Sequence, residues 1–447
     1  MIASLSTCIA LALIGGHGAE PPPPNFVIIF VDDQGYADVG VQGCSDYETP
    51  HIDSIASGGV QCTAGYVAQP LCAASRAGLM TGRHPSRFGH EANHPHVADP
   101  DFGLPLEERT LAEYLRDAGY ATGMIGKWHL GKHISMSPMN RGFLEAIDLK
   151  GSFESREAED AFDAAESTER TWYPTLWRNM VPEPMNGYVA DRLADEAVDF
   201  VEHHRNEPFL LYWAHPFPHI PTVTEDKYLE RVSDITSVLR RRYAAMMLAV
   251  DDGVGRILEA LRRNGLEENT LVFYITDNGG AADRSPASNG PLTGGKGGLQ
   301  EGGIRVTYLA QWKGVVPGGR VYDPAVTTLD VVPTVLAAAG IATPDGVDFD
   351  GVDLLPFWTG RATGLPHERL FWRRLHRDTW AIREGDWKLL ALPGLKPPRL
   401  YHLADDIGER NDLARLHPDR VRSMTDTYEA WAGRLPQPRW VDVFDGD

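Results

Sequence analysis

The chain has 447 residues, of which 43% are hydrophobic and 23% are charged. This length and composition are typical of a folded globular protein with a large core and room for a second, smaller unit. The formal net charge of −20 argues against general nucleic-acid binding and against binding to anionic membranes, because both need a basic surface. Any anionic substrate therefore needs a local pocket of arginine, lysine and histidine side chains.

The first residues are typical of an export signal. Leu5–Ile14 is an apolar run that is too short to span a bilayer, and Gly16 and Gly18 are small residues of the kind found at cleavage sites. Met1–Ala19 is therefore predicted to be the signal peptide of a periplasmic or secreted protein, although it contains no lysine or arginine. The alternative is an irregular N-terminal tail.

The first predicted strand ends in two acids. Asn25–Val31 is a continuous apolar run, which indicates a strand buried on both faces of a parallel sheet. Asp32 and Asp33 follow it directly. Two adjacent carboxylates at the end of a buried strand repel each other unless a cation lies beside them. The same pair also fits a solvated acidic loop.

Two cysteines follow this strand. Cys44 and Cys62 would pair in an oxidising compartment, and two small buried thiols fit the sequence equally well.

A third cysteine has an arginine four positions later, within Pro70–Arg83. Ala73–Met80 favours helix and Gly82 favours its end, so Cys72 is predicted at the helix start, where unpaired backbone N–H groups attract anions. Arg76 lies one turn later on the same face. The pattern fits a reactive thiol, and a cysteine that acts as a small buried hydrophobe is the alternative.

Three later segments repeat the pattern of an apolar strand followed by polar side chains. They are Tyr120–Ile125 before Lys127 and His129, Pro208–Ala214 before His215 and His219, and Thr270–Thr276 before Asp277 and Asn278. Each of these polar side chains, taken alone, also fits an ordinary solvated or structural role. A glycine-rich loop that carries Lys296 comes next; it resembles a phosphate-binding loop in composition only.

Helical spacing separates these strands. It predicts helices over Leu106–Ala118, Tyr188–His204 and Tyr243–Arg263, and an apolar helix within Ala325–Ala339. The acidic segment Gly151–Arg170 is predicted to be a surface insertion.

Strands alternate with helices up to about residue 340, which predicts an α/β fold with a large mixed, mostly parallel sheet sandwiched by helices. Short strands near Trp380–Arg383 and Trp387–Leu392 predict a smaller C-terminal antiparallel α+β subdomain. The expected domains are therefore 25–343 and 344–447.

The carboxyl ends of parallel strands meet at one edge of a sheet, where sites form. Three carboxylates and an amide at that edge would form a hard-oxygen cation site. A metal ion ringed by cationic side chains suits a tetrahedral oxyanion, either sulfate or phosphate. The cationic side chains are Arg76, Lys127 and Lys296, with two histidines beside them.

The motifs resemble those of the type I sulfatases, in sulfatase order. They are Asp32-Asp33-Gln34-Gly35-Tyr36, Cys72-x-Ala-x-Arg76, Gly126-Lys127-Trp128-His129-Leu130-Gly131, Pro218-His219-Ile220-Pro221, Asp277-Asn278-Gly279 and Gly295-Lys296. The resemblance runs from about Asn25 to the end of the chain, and includes the segment Trp380–Lys388. It implies the alkaline phosphatase-like fold. The commonest family motif has proline in place of Ala74, so the resemblance leaves open which maturation enzyme acts.

The resemblance also implies residue roles. Cys72 would be oxidised to formylglycine (3-oxoalanine), whose hydrate is the nucleophile, by a formylglycine-generating or an anaerobic sulfatase-maturating enzyme. Ca²⁺ would be held by the modified Cys72 together with Asp32, Asp33, Asp277 and Asn278. The other catalytic residues would be Arg76, Lys127, His129, His219 and Lys296.

The implied activity is hydrolysis of sulfuric esters in a sulfated carbohydrate or aryl sulfate. A phosphonate monoester or phosphodiester hydrolase of the same fold is one alternative, and a non-catalytic binder of sulfated glycans with an unmodified Cys72 is another. A further set of side chains would line the pocket mouth or belong to the ordinary surface: Arg87, His90, His94, His96 and the segment Trp372–Arg377.

Overall fold

The computed structural model describes residues 22–95, 97–149 and 175–441. The strands are β1 (Asn25–Val31), β2 (Val60–Cys62), β3 (Gly65–Tyr66), β4 (Ala121–Gly126), β5 (Glu145–Leu149), β6 (Thr175–Arg178), β7 (Val181–Pro184), β8 (Phe209–His215), β9 (Thr270–Thr276), β10 (Arg305–Val306), β11 (Tyr308–Gln311), β12 (Arg320–Tyr322), β13 (Val326–Thr327), β14 (Arg369–Arg374), β15 (Thr379–Glu384), β16 (Trp387–Ala391) and β17 (Arg399–His402). The helices are α1 (Pro50–Ser57), α2 (Cys72–Thr81), α3 (Leu111–Asp117), α4 (Val189–His203), α5 (Asp226–Glu230), α6 (Val238–Arg263), α7 (Glu301–Ile304), α8 (Val331–Ala338), α9 (Leu355–Trp358) and α10 (Pro418–Ala432).

A large mixed sheet organises the described part of the chain. It has ten strands in the order β12-β2-β11-β9-β1-β8-β4-β5-β6-β7 within the described residues. The central strands β9, β1, β8, β4 and β5 run parallel to one another, and β11 and β6 run antiparallel to them on either side. The predicted α/β fold with a mostly parallel sheet is therefore confirmed.

Helices cover both faces of the sheet because the central strands are apolar on both faces. In β1, Phe26 and Phe30 pack into a core cluster with residues of α2, α3 and α8. The alternate residues Val27 and Val31 pack into a second cluster with residues of α1, α4 and α6. The continuous apolar run read from the sequence is thus a strand buried between two helical layers.

Helix α3 begins later than its apolar spacing predicts. The predicted start at Leu106 is wrong, because Thr110 caps the helix that begins at Leu111. The Thr110 hydroxyl accepts from the Glu113 amide at 3.1 Å, and the Glu113 carboxylate accepts from the Thr110 amide at 2.7 Å. This reciprocal capping box satisfies two backbone donors and defines the helix start.

The predicted smaller antiparallel unit is present near the C-terminus. Strands β14 to β17 form a four-stranded antiparallel sheet. One of its faces packs on α10, where Trp380 stacks on Tyr428 with ring centroids 4.1 Å apart. Its other face joins the main core through Trp372, whose Nε1 donates to the Val67 carbonyl at 2.8 Å. The boundary between residues 343 and 344 remains a prediction.

Several expectations concern the ends and the cysteines. The predicted signal peptide and the predicted insertion Gly151–Arg170 lie outside the described residues. Cys44 and Cys62 are free thiols and form no disulfide with each other. Within the described ranges, no helix combines the length and the apolar character that crossing a membrane requires.

His84 joins the segment after α2 to the C-terminal sheet. Its Nδ1 accepts from the Ser86 amide at 3.3 Å, so the neutral ring carries its proton on Nε2, which donates to the Phe371 carbonyl at 3.0 Å. Burial, together with the charges of Arg373 and Arg87, lowers the pKa of His84 from 6.5 to about 4. The unfolded chain therefore binds more protons than the folded protein over this pH range, and stability falls as the pH drops below 6.5.

We expect His84→Gln to reduce the acid-induced loss of stability. Between pH 7 and pH 5 the wild-type histidine should contribute about 2 kcal/mol to the fall in the free energy of unfolding, and the variant should lack that contribution. Urea unfolding at the two pH values measures this difference. Replacing the exposed His203 by glutamine is the matched control and should leave the pH dependence unchanged. Identical pH dependence in His84→Gln and the wild type would contradict the assignment.

Candidate active site

The four predicted strand ends meet at one edge of the sheet. Strands β9, β1, β8 and β4 are neighbours and run parallel, so their carboxyl ends point the same way. The segments that follow them carry the predicted polar residues: Asp277 and Asn278, Asp32 and Asp33, His219, and Lys127 and His129. Convergence of these segments was the central structural prediction from the sequence, and the topology confirms it.

Helix α2 presents Cys72 at this edge. Cys72 is the first residue of the helix and is 1% exposed, and the helix ends at Gly82 in the left-handed conformation with φ 65°. The Cys72 Sγ lies 3.4 Å from Asp32 Oδ1 and 3.9 Å from Asp33 Oδ1. The thiol is therefore surrounded by the carboxylates that follow β1.

The cap of α2 comes from a distant part of the chain. Leu71 precedes the helix, and its apolar side chain cannot accept a hydrogen bond from the first backbone N–H groups. Instead, Asn93 Oδ1 accepts from the Ala73 amide at 3.1 Å. Sequence reasoning missed Asn93, because the signal for an N-cap is a polar residue immediately before the helix, and here a later loop supplies it.

Three cationic side chains pair with three carboxylates in the site. Arg76 Nη2 lies 2.8 Å from Asp277 Oδ2 and 3.6 Å from Asp32 Oδ2. Lys296 Nζ lies 2.8 Å from Asp33 Oδ2, and Lys127 Nζ forms an ion pair with Asp32. All six of these residues had been singled out from the sequence, and the fold brings them together.

Arg76 is also oriented by neutral groups. Its Nη1 donates to the Lys127 carbonyl at 3.0 Å and lies 3.3 Å from the Tyr212 hydroxyl. Tyr212 lies on β8, within a run of apolar residues, so the sequence shows nothing to separate it from an ordinary core tyrosine.

The site contains a group of side chains that suits a cation. One ligating atom from each of Asp32, Asp33, Cys72 and His219 lies within 4.8 Å of the others. Asn278 adjoins this group, since its Nδ2 donates to Asp33 Oδ1 at 2.7 Å. Its Oδ1 is buried and has no hydrogen-bond partner among the described residues. A buried carbonyl oxygen without a donor is costly, and a bound cation would satisfy it.

The carboxylates of the site differ in acidity. Burial and the nearby charge of Asp32 raise the pKa of Asp277 to about 7. Burial opposes the ionisation of Asp32 as well, but the attraction of Lys127, His219 and Arg76 outweighs it and holds the pKa of Asp32 well below its usual value. Asp277 can therefore exchange a proton near neutral pH, whereas Asp32 stays ionised.

Two site residues have strained backbone conformations. Asp33 has a φ of 60° and His129 a φ of 57°, in the left-handed region that costs energy for residues other than glycine. Gly126, just before Lys127, has a φ of 117°, and a Cβ added there would lie 2.0 Å from the Ala214 carbonyl oxygen. The sequence had indicated a close approach at the glycines of this motif, and this contact confirms it.

The histidines after β8 occupy different surroundings. His219 Nε2 lies 3.5 Å from Asp33 Oδ2, at the site. His215 is fully buried, and its ring packs against Trp213 and Phe217 with centroids 4.8 and 5.1 Å away. Its Nδ1 accepts from the Phe217 amide at 3.0 Å, so His215 belongs to the packing under the site.

The predicted pocket-mouth residues are mostly buried. An ordinary surface location is wrong for His90, His94, Arg373 and Arg374, all of which are buried. Arg373 pairs with Glu91, while Arg374 donates to the carbonyl of Gly297 in the glycine-rich loop. Arg87 forms ion pairs with two aspartates in the C-terminal part, and His96 lies outside the described residues.

Comparisons with known proteins agree with this architecture. A family model described as Sulfatase matches residues 24–341. The N-acetylgalactosamine-6-sulfatase of Canis lupus familiaris is 34% identical over 91% of this chain and 84% of its own length. Arylsulfatase A of Homo sapiens is 32% identical over 91% of this chain and 86% of its own length.

A solved structure gives the same result. The crystal structure of Ps i-CgsB in complex with k-i-k-neocarrahexaose is 33% identical, has a TM-score of 0.85, and covers 95% of this chain and 96% of its own. The predicted resemblance is therefore confirmed, together with the alkaline phosphatase-like fold that it implies. The chain belongs to the sulfatase family and is a hydrolase of sulfuric esters.

Proposed function

We propose that this sulfatase hydrolyses the sulfate esters of a carbohydrate through a formylglycine produced from Cys72, with Ca²⁺ as its metal ion. The observation that carries the proposal is the position of Cys72 at the start of a buried helix, 3.4 Å from a carboxylate oxygen of Asp32. The cationic side chains that pair with the site carboxylates support an anionic ester as the substrate.

As a thiol, Cys72 is poorly suited to nucleophilic attack. Burial and the charges of Asp277 and Asp32 raise the pKa of its thiol well above the ordinary value, so little thiolate forms. The reactive-thiol interpretation is therefore disfavoured. Oxidation to the aldehyde removes the obstacle, because the hydrated aldehyde supplies hydroxyl groups in place of sulfur. The helix start and Arg76 would stabilise negative charge on such an oxygen.

Burial of Cys72 also bears on maturation. Because its side chain is 1% exposed in the folded protein, a maturation enzyme has to reach this segment before the chain folds. We propose a formylglycine-generating or an anaerobic sulfatase-maturating enzyme as this transient partner.

Export through the predicted signal peptide remains part of the proposal. N-terminal sequencing of the mature protein from the native host tests it.

The proposed calcium ligands are Asp32, Asp33, Asp277, Asn278 and the modified residue 72. Carboxylate and amide oxygens are the hard ligands that Ca²⁺ prefers, and the buried Asn278 Oδ1 without a donor fits such an ion. When bound, the ion would polarise a sulfate oxygen and stabilise developing negative charge. We assign His219 to proton transfer instead, since an imidazole ligand is more typical of transition metals.

Charge balance supports roles for Lys127 and Lys296. The three carboxylates of the site are matched by three cationic side chains. A divalent cation on the carboxylates would leave a surplus of positive charge and would compete with both lysines for Asp32 and Asp33. The ammonium groups would then be available to the sulfate oxygens, where they offset the charge of the transition state.

The remaining roles concern protons. Burial and the charge of Lys296 lower the pKa of His219 from 6.5 to about 4, so the free site holds a neutral ring. The negative charge of a bound sulfate would raise that pKa and favour the protonated ring, which could then donate to the leaving alcohol. Asp277, whose carboxylate lies beside residue 72, would accept the proton of the attacking hydroxyl. His129 would accept the proton of the second hydroxyl.

The carbohydrate assignment comes from the relatives. One is named for N-acetylgalactosamine 6-sulfate, and one solved structure holds a neocarrahexaose. The position of the sulfate on the sugar is left to experiment, through desulfation of a panel of defined sulfated sugars.

Peptide mass spectrometry of the protein from its native host tests the nucleophile. We expect the peptide that contains Cys72 to have the mass of the aldehyde. A thiol intact in all molecules of a fully active preparation would rule out formylglycine.

Parallel assays with an aryl sulfate and an aryl phosphodiester test the ester class. Much faster turnover of the diester would overturn the sulfate assignment.

A further inference from the structure

The loop that carries Lys296 has little intrinsic rigidity. Four glycines surround the lysine: Gly294, Gly295, Gly297 and Gly298. Gly294 and Gly297 both have a φ of 81°, a conformation that glycine adopts readily. Glycine loses more conformational freedom on ordering than any other residue, so contacts from outside the loop have to define the position of Lys296.

Two backbone contacts tie the loop to the rest of the site. The Lys296 amide donates to the Gly280 carbonyl at 3.2 Å, just beyond the end of β9. The Gly297 amide donates to the Pro70 carbonyl at 2.9 Å, two residues before Cys72. The lysine is thereby placed between the segment of Asp277 and the segment of the nucleophile.

A third contact comes from the C-terminal sheet. Arg374 is the last residue of β14 and is 6% exposed. Its Nη1 donates to the carbonyl of Gly297, the residue that follows Lys296. Its Nη2 lies 3.4 Å from His376 Nε2. A hydrogen bond from a charged donor is about twice as strong as a neutral one, so this contact holds the loop firmly.

The same C-terminal unit holds both ends of the loop region. The Thr293 hydroxyl donates to the Gly408 carbonyl at 2.6 Å, on the side before Lys296. On the far side, Glu409 Oε2 accepts from the Glu301 amide at 2.7 Å. Lys388, which is fully buried, joins the two glutamates with Nζ–Oε1 distances of 2.9 Å to Glu301 and 2.8 Å to Glu409.

We propose that Arg374 is a positioning residue for Lys296, and that the C-terminal unit thereby completes the active site. The inference rests on the role proposed above for Lys296. Arg374 acts through the Gly297 carbonyl to keep the Lys296 ammonium at the site, where its Nζ lies 2.8 Å from the Asp33 carboxylate in this structure. A displacement of about 1 Å at a positioned group can lower turnover about 100-fold, so loss of this anchor affects the rate.

A double-mutant cycle tests the proposal with the matured full-length enzyme and 4-nitrophenyl sulfate. Arg374→Met should lower kcat/KM about 10- to 100-fold, and Arg374→Lys, which keeps a charged donor, should recover part of this loss. Lys296→Ala should lower kcat/KM about 100- to 1,000-fold. In the Lys296→Ala background, Arg374→Met should add less than about a twofold further loss.

Inhibition by inorganic sulfate gives a second readout that a purely structural role would not change. Arg374→Met and Lys296→Ala should both weaken it. The matched control is Arg373→Met, which removes a neighbouring buried arginine that pairs with Glu91. Its effect on kcat/KM should be the same with and without Lys296.

Two results would count against the proposal in different ways. If Arg374→Met lowers kcat/KM by the same factor in both backgrounds, the positioning role is wrong while the role of Lys296 stands. If Lys296→Ala itself leaves kcat/KM unchanged, the proposed function of Lys296 fails, and the inference fails with it. A fold defect in Arg374→Met would appear as a lowered Tm, and Arg374→Lys then decides the matter through its partial recovery.

Discussion

Cys72→Ala is expected to abolish sulfate-ester hydrolysis, with kcat lowered at least about 10⁴-fold relative to the matured wild-type enzyme. The substitution removes the thiol whose oxidation is proposed to give the aldehyde, and it leaves the surrounding charges in place. An unoxidised Cys72→Ser variant offers one hydroxyl in place of the two of an aldehyde hydrate, so it should also lack steady-state turnover. Initial rates with an aryl sulfate, at equal concentrations of folded protein, measure both effects.

The chain offers a matched control for this experiment. Cys62 is also a free, fully buried cysteine, and it lies on β2 in the main core. Cys62→Ala also removes a buried thiol, but at a position outside the proposed active site. The free energy of unfolding should therefore fall, while kcat stays close to that of the wild type. Full activity of Cys72→Ala, with the aldehyde absent from the wild-type peptide, would disprove the proposed nucleophile.

Asp33→Asn is expected to abolish the proposed binding of Ca²⁺, together with the stability and the activity that this binding would supply. In the wild type, Ca²⁺ at a hundredfold excess over its Kd should add about 2.7 kcal/mol to the free energy of unfolding. The variant keeps the shape of the side chain but loses the charge that lies beside Cys72 and Lys296. We expect kcat to fall about 100- to 1,000-fold and the Ca²⁺-dependent rise in Tm to disappear.

A second acidic group in the described structure provides the control. His51, Asp251 and Asp252 also bring ligating atoms within 4.8 Å of one another, away from the strand ends. Asp252 is partly exposed and pairs with Arg231, so Asp252→Asn should retain both the Ca²⁺-dependent rise in Tm and the activity. If this control loses the Ca²⁺ response and Asp33→Asn keeps it, the metal site is wrongly placed.

The candidate site was largely predictable because its residues follow buried strands. A run such as Asn25–Val31 has to lie inside a sheet, and the polar residues directly after it then have to lie at the sheet edge. Asp32 and Asp277 are 245 residues apart in the chain, yet both end neighbouring parallel strands. The prediction that both lie at the same edge requires only that the strands be parallel, and it does not require the order of the strands in the sheet.

Helix limits were less predictable, because caps compete with apolar spacing. Helix α6 was expected to begin at Tyr243 and begins at Val238, since the Ser237 hydroxyl accepts from the Arg240 amide at 3.4 Å. The start of α3 is likewise set by a capping hydroxyl, that of Thr110. A search for Ser or Thr ahead of the first turn would have located both starts.

The sequence alone determined the fold class, the nucleophile candidate and the residues that meet at the sheet edge, because buried strands and the polar segments after them are local patterns. The tertiary structure alone decided which distant groups hold those residues in place. Asn93 caps the helix of Cys72, Lys388 joins Glu301 to Glu409, and Arg374 holds the loop of Lys296. These contacts join segments that lie on separate elements, and their partners are backbone groups or buried charges that any part of the chain could supply. The Lys388 and Arg374 contacts depend on how the C-terminal sheet packs against the main core, and the Asn93 contact depends on how a later loop returns to α2. No local pattern encodes either arrangement.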